Sequence, residues 1–283
     1  GPIDLGLLDG ADKWILHRLN TVVREVTFNL DHFDLNLAAQ KIYDFIWTEF
    51  CDWYIELAKP RLGGEDEAQK ANVRAILVRV LGDSMKLLHP FMPFITEELY
   101  LALPASGETI MRSAWPLYDE SLSFPAEAET MERIMDVIRS IRNLRAEMNV
   151  PPAKRAAMTI VTEAGRIPSF EAASVYVMRL AGAESVKVQS DKAGVPEGAV
   201  SAVCESAEVY IPLKELIDVE KERERTAKEM ERVHGEISRA EGKLSNESFV
   251  QKAPEKVIAA EKEKLETARG MLLKLEQRLA ELN

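Results

Sequence analysis

A chain of 283 residues that is 46% hydrophobic and 29% charged can enclose two or three domains around a sizeable apolar core, which excludes a disordered or low-complexity polymer. Its formal charge of −11 excludes a uniformly basic nucleic-acid binder, because phosphate contacts draw on clustered Lys and Arg and would here have to come from a local patch. Two cysteines, Cys51 and Cys204, lie far apart without paired spacing, and no apolar run approaches the roughly 20 residues of a membrane span, so a disulfide scaffold, a zinc knuckle and a membrane protein are set aside. These features predict a cytoplasmic protein with no metal. The first residue is Gly rather than Met, the N-terminus carries neither a basic segment nor a signal core, and helical periodicity starts almost at once; a segment of a longer protein is expected.

Helical periodicity runs from about Ala11 to Met148. It predicts helices over Ala11–Leu30, Leu35–Lys59, Glu67–His89, Pro93–Leu103 and Ala126–Met148, in a bundle whose short links favour antiparallel neighbours. Gly63 and Gly64 break the run, and Pro90 and Pro93 lack the amide N–H of a helix interior, so one helix ends near His89 and the next begins near Pro93. Within QKIYDFIWTEFCDWYIELAKP (Gln40–Pro60), Ile42, Phe45, Ile46, Trp47, Phe50, Trp53, Tyr54 and Leu57 recur at helical spacing and read as core. Lys41, Asp44, Glu49, Asp52 and Glu56 form the polar face. The stretch Pro104–Pro125 holds Trp115 and Pro116 and is expected to pack across the bundle. Glu97 and Glu98 follow Pro93 into a first helical turn, where the helix dipole favours negative charge, so they read as structural.

After Val150-Pro151-Pro152 the periodicity changes. Ala156–Thr162, Ser185–Val188, Ala199–Cys204 and Glu208–Leu213 are short, β-branched and punctuated by Gly and Pro, with a helix over Ser169–Leu180 between the first two, which predicts a small α/β unit. From Lys214 the chain is charged helix. Its second half places Ile258, Glu261, Leu265, Ala268, Leu272, Leu275, Leu279 and Leu282 at alternating spacings of three and four; the first half repeats this loosely through Leu216, Glu220, Arg223, Ala227, Met230, Val233 or His234, Ile237 and Leu244. SNESFVQKAP (Ser245–Pro254) breaks the helix and allows a reversal, so an antiparallel hairpin is expected. A self-associating rod is the competing reading, which Pro254 disfavours. The fold class is mainly α, in three parts: residues 1–150, 151–213 and 214–283.

Four segments carry a resemblance: DKWILHRLN (Asp12–Asn20), FCDWYIELAKPRL ending at Leu62, KLLHPFMPFITEELYL (Lys86–Leu101) and SIRNLRAEMNVPPAKR (Ser140–Arg155). They resemble class I aminoacyl-tRNA synthetases, and best the valyl-tRNA synthetases. The isoleucyl, leucyl and methionyl families share the helix bundle, so the discriminating match is IDVEKERERTAKEM with KLSNESFVQKAPEKVIAAEKEKL, which resembles the valyl family's terminal coiled coil. The resemblance covers essentially the whole chain. It implies a helix bundle that reads the tRNA anticodon, a small α/β subdomain, and a coiled-coil arm that touches the tRNA body. It further implies a monomer whose partner is valine tRNA, with ATP and valine bound by N-terminal catalytic and editing domains outside this chain. No HIGH-like or KMSKS-like motif and no GxxxxGK phosphate cradle is present, so these residues alone are expected neither to hold a cofactor nor to activate valine. Lys243-Leu-Ser-Asn-Glu looks superficially like the Lys-Met-Ser-Lys-Ser loop but falls at the helix reversal.

Candidate tRNA contacts follow from that resemblance together with residue chemistry. Phe28, Asn29, His32, Phe33 and Asn36 combine aromatic faces with amide groups, and unstacked RNA bases are read by stacking plus edge hydrogen bonds. Arg139, Arg142, Arg145, Lys154 and Arg155 set five bases against the single acid Glu147 and could line a groove; equally, they could be a solvated, ion-paired face. On the arm, Arg225, Lys228, Arg232, Arg239, Lys243, Lys252, Lys256, Lys262 and Lys264 are expected to meet RNA backbone. His17, His32, His89 and His234 are scattered without ligand spacing and read as satisfied surface or core histidines. Two other functions remain open at this level: the anticodon-binding region of an isoleucyl- or methionyl-type synthetase, and a coiled-coil interaction module.

Overall fold

In the computed structural model, which describes residues 2–104, 106–216, 219–246 and 253–281 (side chains of 219–222, 278 and 281 excepted), helix α1 (Gly10–Asp31) packs against three other helices of the bundle. Its start is fixed by a reciprocal cap in which Asp9 Oδ1 accepts from the Asp12 amide at 2.9 Å and Asp12 Oδ2 accepts from the Asp9 amide at 3.3 Å. Trp14, Ile15, Leu16, Leu19, Val22, Val23 and Val26 are buried along it. Around it stand α2 (Leu35–Asp44), α4 (Glu67–Leu88) and α6 (Pro125–Glu147), while α5 (Pro93–Leu101) packs on α4.

Helix α2 runs on through Phe45–Tyr54, which is wound with i→i+5 hydrogen bonds, into α3 (Ile55–Leu62). Wider turns advance each residue by less angle than the 3.6-residue helix assumed from the sequence. The apolar face is therefore re-phased. Phe45, Phe50, Trp53, Tyr54 and Leu57 are buried as expected, but Trp47 is 56% exposed and does not belong to the core. Residues 115–124 lie along α1 as Trp115 suggested: its indole donates to Thr27 Oγ1 at 2.9 Å, Asn20 exchanges two 2.8 Å bonds with the Asp119 backbone, and the Phe124 amide donates to His17 Nδ1 at 3.1 Å. Burial, with help from Arg18 and Arg24, pushes His17 below its ordinary pKa, keeping the ring neutral and able to accept.

Beyond Val150 a mixed sheet has the order β2-β1-β4-β3, from β1 (Ala156–Val161), β2 (Ala183–Gln189), β3 (Ala199–Val203) and β4 (Glu208–Pro212). β1 and β2 are parallel, and the crossover between them holds two short helices, α7 (Ile167–Ala172) and α8 (Ser174–Leu180), rather than one. Helix α9 (Leu213–Leu216) closes on the sheet: Leu216 is buried, and Glu215 Oε2 accepts from the Ala157 amide at 2.6 Å, so the unit reaches three residues past the boundary read from the sequence. One apolar core is continuous from Trp14 through Ile141 to Ile160 and Val209.

The arm is α10 (Val219–Leu244) and α11 (Glu255–Glu281). Val233, Ile237, Ala240, Leu265 and Ala268 are buried between them, with Leu244, Leu272 and Leu275 alongside. Thr226 is buried and Ala227 exposed, and Val233 rather than His234 faces the partner helix, so Thr226, one residue earlier, takes the seam position read from the sequence as Ala227, and Val233 takes the one read as Val233 or His234. Glu241–Arg269 at 2.8 Å and Lys243–Glu261 at 3.2 Å cross between the helices. Of the stretch Ser245–Pro254 expected to reverse the chain, residues 247–252, including Lys252, lie outside the described residues, as does the seam position Leu282.

Two clusters join bundle and sheet. In the first, the fully buried Asp12 accepts from Tyr54 Oη at 2.7 Å and from both terminal nitrogens of Arg61, one at 2.6 Å, while Asp9 accepts from Tyr176 Oη on α8 at 2.6 Å. In the second, Arg145 ends α6 with its guanidinium on the carbonyls of Lys154 at 2.6 Å and Pro151 at 3.3 Å. Gly182 covers that guanidinium at φ +72°, and a Cβ there would sit 3.2 Å from Arg145 Cζ. Replacing Asp12 by Ala strands a buried phenol and guanidinium and should cost about 3–5 kcal/mol in urea unfolding, whereas Lys59→Ala, which breaks an exposed pair with Glu56, should cost under about 0.5 kcal/mol. Gly182→Ala should lower stability by about 1–2 kcal/mol from its left-handed backbone alone, plus the close contact on Arg145, and melting followed by circular dichroism reads both.

Candidate nucleic-acid interface

The end of α1 presents the first cluster. The Phe33 amide donates to the Leu30 carbonyl at 3.1 Å and the Asp34 amide to the Asn29 carbonyl at 2.8 Å, a two-bond closure that requires a left-handed residue at position 33. That position normally carries Gly, yet here Phe33 adopts φ +61°. Its ring is 87% exposed, so no packing compensates the backbone strain. Beside it Phe28, 57% exposed, stacks on His32 with centroids 4.0 Å apart, and His32 Nδ1 lies 2.8 Å from the Phe28 carbonyl. Asn29 lines a shallow cavity of about 390 Å³ with Arg24, Glu25, Phe28 and Lys41, and Asn36 is exposed in the first turn of α2. Thus all five residues singled out from the sequence fall at this one corner, in or beside the α1–α2 turn.

The corner is aromatic and amide-rich rather than strongly basic. Lys41 is paired to Glu25 at 2.8 Å, and Arg24 lies 5.0 Å from the Tyr118 ring centroid. Such a surface suits bases, which stack, more than phosphates, which need free positive charge. Tyr43 and Trp47, with centroids 6.2 Å apart, extend the exposed aromatics along α2 and its wide-turn continuation, and the sequence reading missed both. Their spacing of four, on the side away from Ile42 and Phe45, was the available signal; reading the whole aromatic run as core passed over it.

The Arg139–Arg155 cluster divides. Arg145 is buried on backbone carbonyls and does not line an open groove. Arg142 donates to the Leu180 carbonyl at 2.7 Å, and Arg155 donates to the carbonyls of Ala183 at 3.2 Å and Met178. These arginines satisfy carbonyls at strand and helix ends across the joint, a demand that charge counting cannot reveal. Arg139 and Arg142 lie 5.2 and 5.4 Å from the ring centroid of the buried Trp53, and Arg139 reaches Glu132 and Asp136 at 3.8 Å. Lys154 is half-buried.

On the arm, Arg225, Lys228, Arg232, Arg239, Lys243, Lys256, Lys262 and Lys264 are all exposed. Several are nonetheless engaged: Arg232 with Glu229 at 2.5 Å and Glu236 at 3.2 Å, Lys243 and Lys264 both with Glu261 at 3.2 Å, and Arg239 Nε with the Gly235 carbonyl at 3.0 Å. Hydrogen bonds from Lys243 and Lys264 hold the Glu261 carboxyl below its usual range. Solvent-facing pairs of this kind are weak enough to be exchanged for phosphate. Among the described residues no three metal-ligating side chains converge, and no described helix is long and apolar enough to cross a membrane.

Residues 12–160 match the family model for the anticodon-binding domain of tRNA ligases, and residues 218–283 match that for the valyl tRNA synthetase tRNA binding arm. The chain is 50% identical over 272 residues to the valine–tRNA ligases of Clostridium acetobutylicum and Clostridium tetani, covering 96% of its own length and 31% of each relative. Against the valine–tRNA ligase of Bacillus cereus it is 45% identical over 273 residues. It spans about a third of the length of the curated relatives that it matches, 31% in all three cases. With the first match covering more than half of its residues, the chain belongs to the family of tRNA-ligase anticodon-binding domains, in the form that carries the valyl-type tRNA-binding arm.

Proposed function

We propose that this chain is the tRNA-holding part of a cytoplasmic valine–tRNA ligase: the corner formed by Phe28, Asn29, His32, Phe33 and Asn36 reads anticodon bases, and the arm holds the tRNA body. The observation that carries the reading is Phe33, an aromatic ring held almost wholly in solvent by a backbone conformation that disfavours it. A left-handed non-glycine residue costs about 1–2 kcal/mol, and nothing in the folded chain returns that cost. A base stacked on the ring would. Asn29 and Asn36 supply paired donors and acceptors for base edges, and the Phe28–His32 stack offers a second aromatic face.

The arm's bases contact backbone without reading sequence, because phosphate contacts fix position while base edges carry identity. Closure of the arm seam on itself, through Val233, Ile237, Leu265 and Ala268, occupies these heptad positions within one chain and favours a monomer over a coiled-coil assembly module. The whole ligase would attach valine to its tRNA using ATP, with ATP and valine held in the part that the relatives carry outside the matched region. Likeness to valine–tRNA ligases supports the valyl reading over an isoleucyl- or methionyl-type synthetase.

Phe33→Gly separates function from folding. Relief of strain should leave the melting temperature unchanged or raise it by a few degrees, while loss of one stacked base, worth about 1–3 kcal/mol, should weaken binding of a valine tRNA transcript about 5- to 150-fold in filter binding. Unchanged affinity would remove the base-reading role of this corner. A chain ending at Leu216 should bind every tRNA more weakly by a similar factor and with a shallower salt dependence, keeping the ratio of valine to isoleucine tRNA and the melting of the bundle. Loss of that ratio with little loss of affinity would make the arm the specificity element instead.

A further inference from the structure

Helix α5 turns its apolar residues outward. Of its nine residues only Thr96 is buried, while Phe94 is 91% exposed and Ile95, Leu99 and Leu101 are each exposed by 43–47%, with Met92 before the helix and Met111 nearby more than half exposed. The inward side is fixed by polar bonds. Thr96 Oγ1 lies 2.7 Å from His89 Nδ1 and donates to the Met92 carbonyl at 2.8 Å, and Glu97 accepts from Thr109 Oγ1 at 3.0 Å and the Ile110 amide at 3.2 Å. An amphipathic helix normally buries its apolar side. Here the polar side is tied down, and a preformed apolar face is left uncovered. Contiguous exposed apolar surface of this kind marks an interaction site.

Charge decides what covers it. From Met92 to Leu103 the chain has no Lys or Arg and two acids, Glu97 and Glu98. Glu97 is turned toward Thr109, but Glu98 stands among Phe94, Ile95 and Leu101 on the outward side. RNA backbone would meet repulsion along that stretch, which carries no compensating cation of its own. A second copy of the chain fits poorly too, because an isologous contact sets a patch against itself and would bring Glu98 toward Glu98. The valine–tRNA ligases this chain resembles are about three times its length, since it covers 31% of each.

We propose that the outward face of α5 is the seat on which the rest of the ligase, the part its relatives carry outside the matched region, docks, presenting an apolar hollow to Phe94 and a Lys or Arg to Glu98. This rests on the reading that the chain works inside a longer ligase but not on how tRNA is recognised. Failure of tRNA binding and failure of docking are therefore separable. The face would fix the bundle, and with it the anticodon corner, at a set place relative to the remaining domains.

Amide hydrogen exchange tests it, comparing the 283-residue chain alone with an intact ligase in which this chain replaces the matched segment of the Clostridium acetobutylicum protein. Exchange over Met92–Leu101 should slow by at least about tenfold in the intact ligase, and exchange around Phe33 should not change. Phe94→Glu should restore fast exchange in the intact ligase while leaving the melting of the isolated chain unaltered. The unmodified relative serves as a second intact protein if the hybrid does not fold, with the same expectation for its aligned helix. Equal exchange in intact ligase and isolated chain would overturn the proposal. So would protection in the isolated chain that grows with its own concentration, which indicates a second copy, or that appears on adding tRNA, which indicates RNA.

Discussion

The buried cluster of Asp12, Arg61, Tyr54, Asp9 and Tyr176 is the constraint on which the arrangement of the first two parts depends. It links the first turn of α1, the continuous helix that carries Tyr54 and Arg61, and α8, three stretches that are distant in sequence. Burial, reinforced by the charge of Asp12, pushes Asp9 above the usual carboxylate range, and burial also pushes the hydroxyls of Tyr54 and Tyr176 up. Burial works against the charge on Arg61, but its bonds to Asp12 together with the negative charges of Asp9 and Asp12 outweigh that and hold the guanidinium charged. Such a network adds little net stability over an apolar core of the same shape, yet it tolerates few arrangements of its members. Its consequence is alignment: each element must sit where its polar group is satisfied, so the bundle and the sheet share one orientation and one core.

Positive charge in this acidic protein serves two purposes that composition cannot distinguish. At the joint after α6, Arg142, Arg145 and Arg155 cap carbonyls that would otherwise be left unsatisfied where helix and strand ends meet. A guanidinium suits that role because its fork can reach several oxygens at once. On the arm, the bases stand in solvent among acids and exchange partners easily. The net charge of −11 is then compatible with RNA contact, since a strip of loosely paired bases can trade carboxylates for phosphates without any uniformly basic surface.

Two helix ends show how one backbone device serves different ends. After α6 the left-handed position is filled by Asn149 at φ +52°, one of the residues that tolerates it. After α1 the same position is filled by Phe33. Strain kept at an exposed aromatic points to a contact made outside the chain, and the stacked Phe28 and His32 beside it point the same way. The apolar face of α5 is a different kind of surface, one aromatic ring set among aliphatic side chains, flanked by acid and backed by polar bonds, suited to protein rather than to phosphates.

The sequence by itself determined the helical bundle, the change to short strands after Val150, the arm with its two heptad runs, the family resemblance, and the α1–α2 corner. Each rests on periodicity, on punctuation by Gly and Pro, or on residue types read within a few neighbours. What it missed was decided by packing. Trp47 lies at the edge of the apolar face for a fixed 3.6-residue period, and the wider winding of Phe45–Tyr54 carries it into solvent. Arg145 is structural because carbonyls from Pro151 and Lys154 converge on it and Gly182 closes over it, partners set by the chain's path rather than by local spacing. Thr226 rather than Ala227 enters the arm seam because the opposing helix fixes which phase of a weak heptad is used. Local pattern thus fixes which elements form, while the direction in which a charged or aromatic side chain points is fixed only when distant backbone must be satisfied.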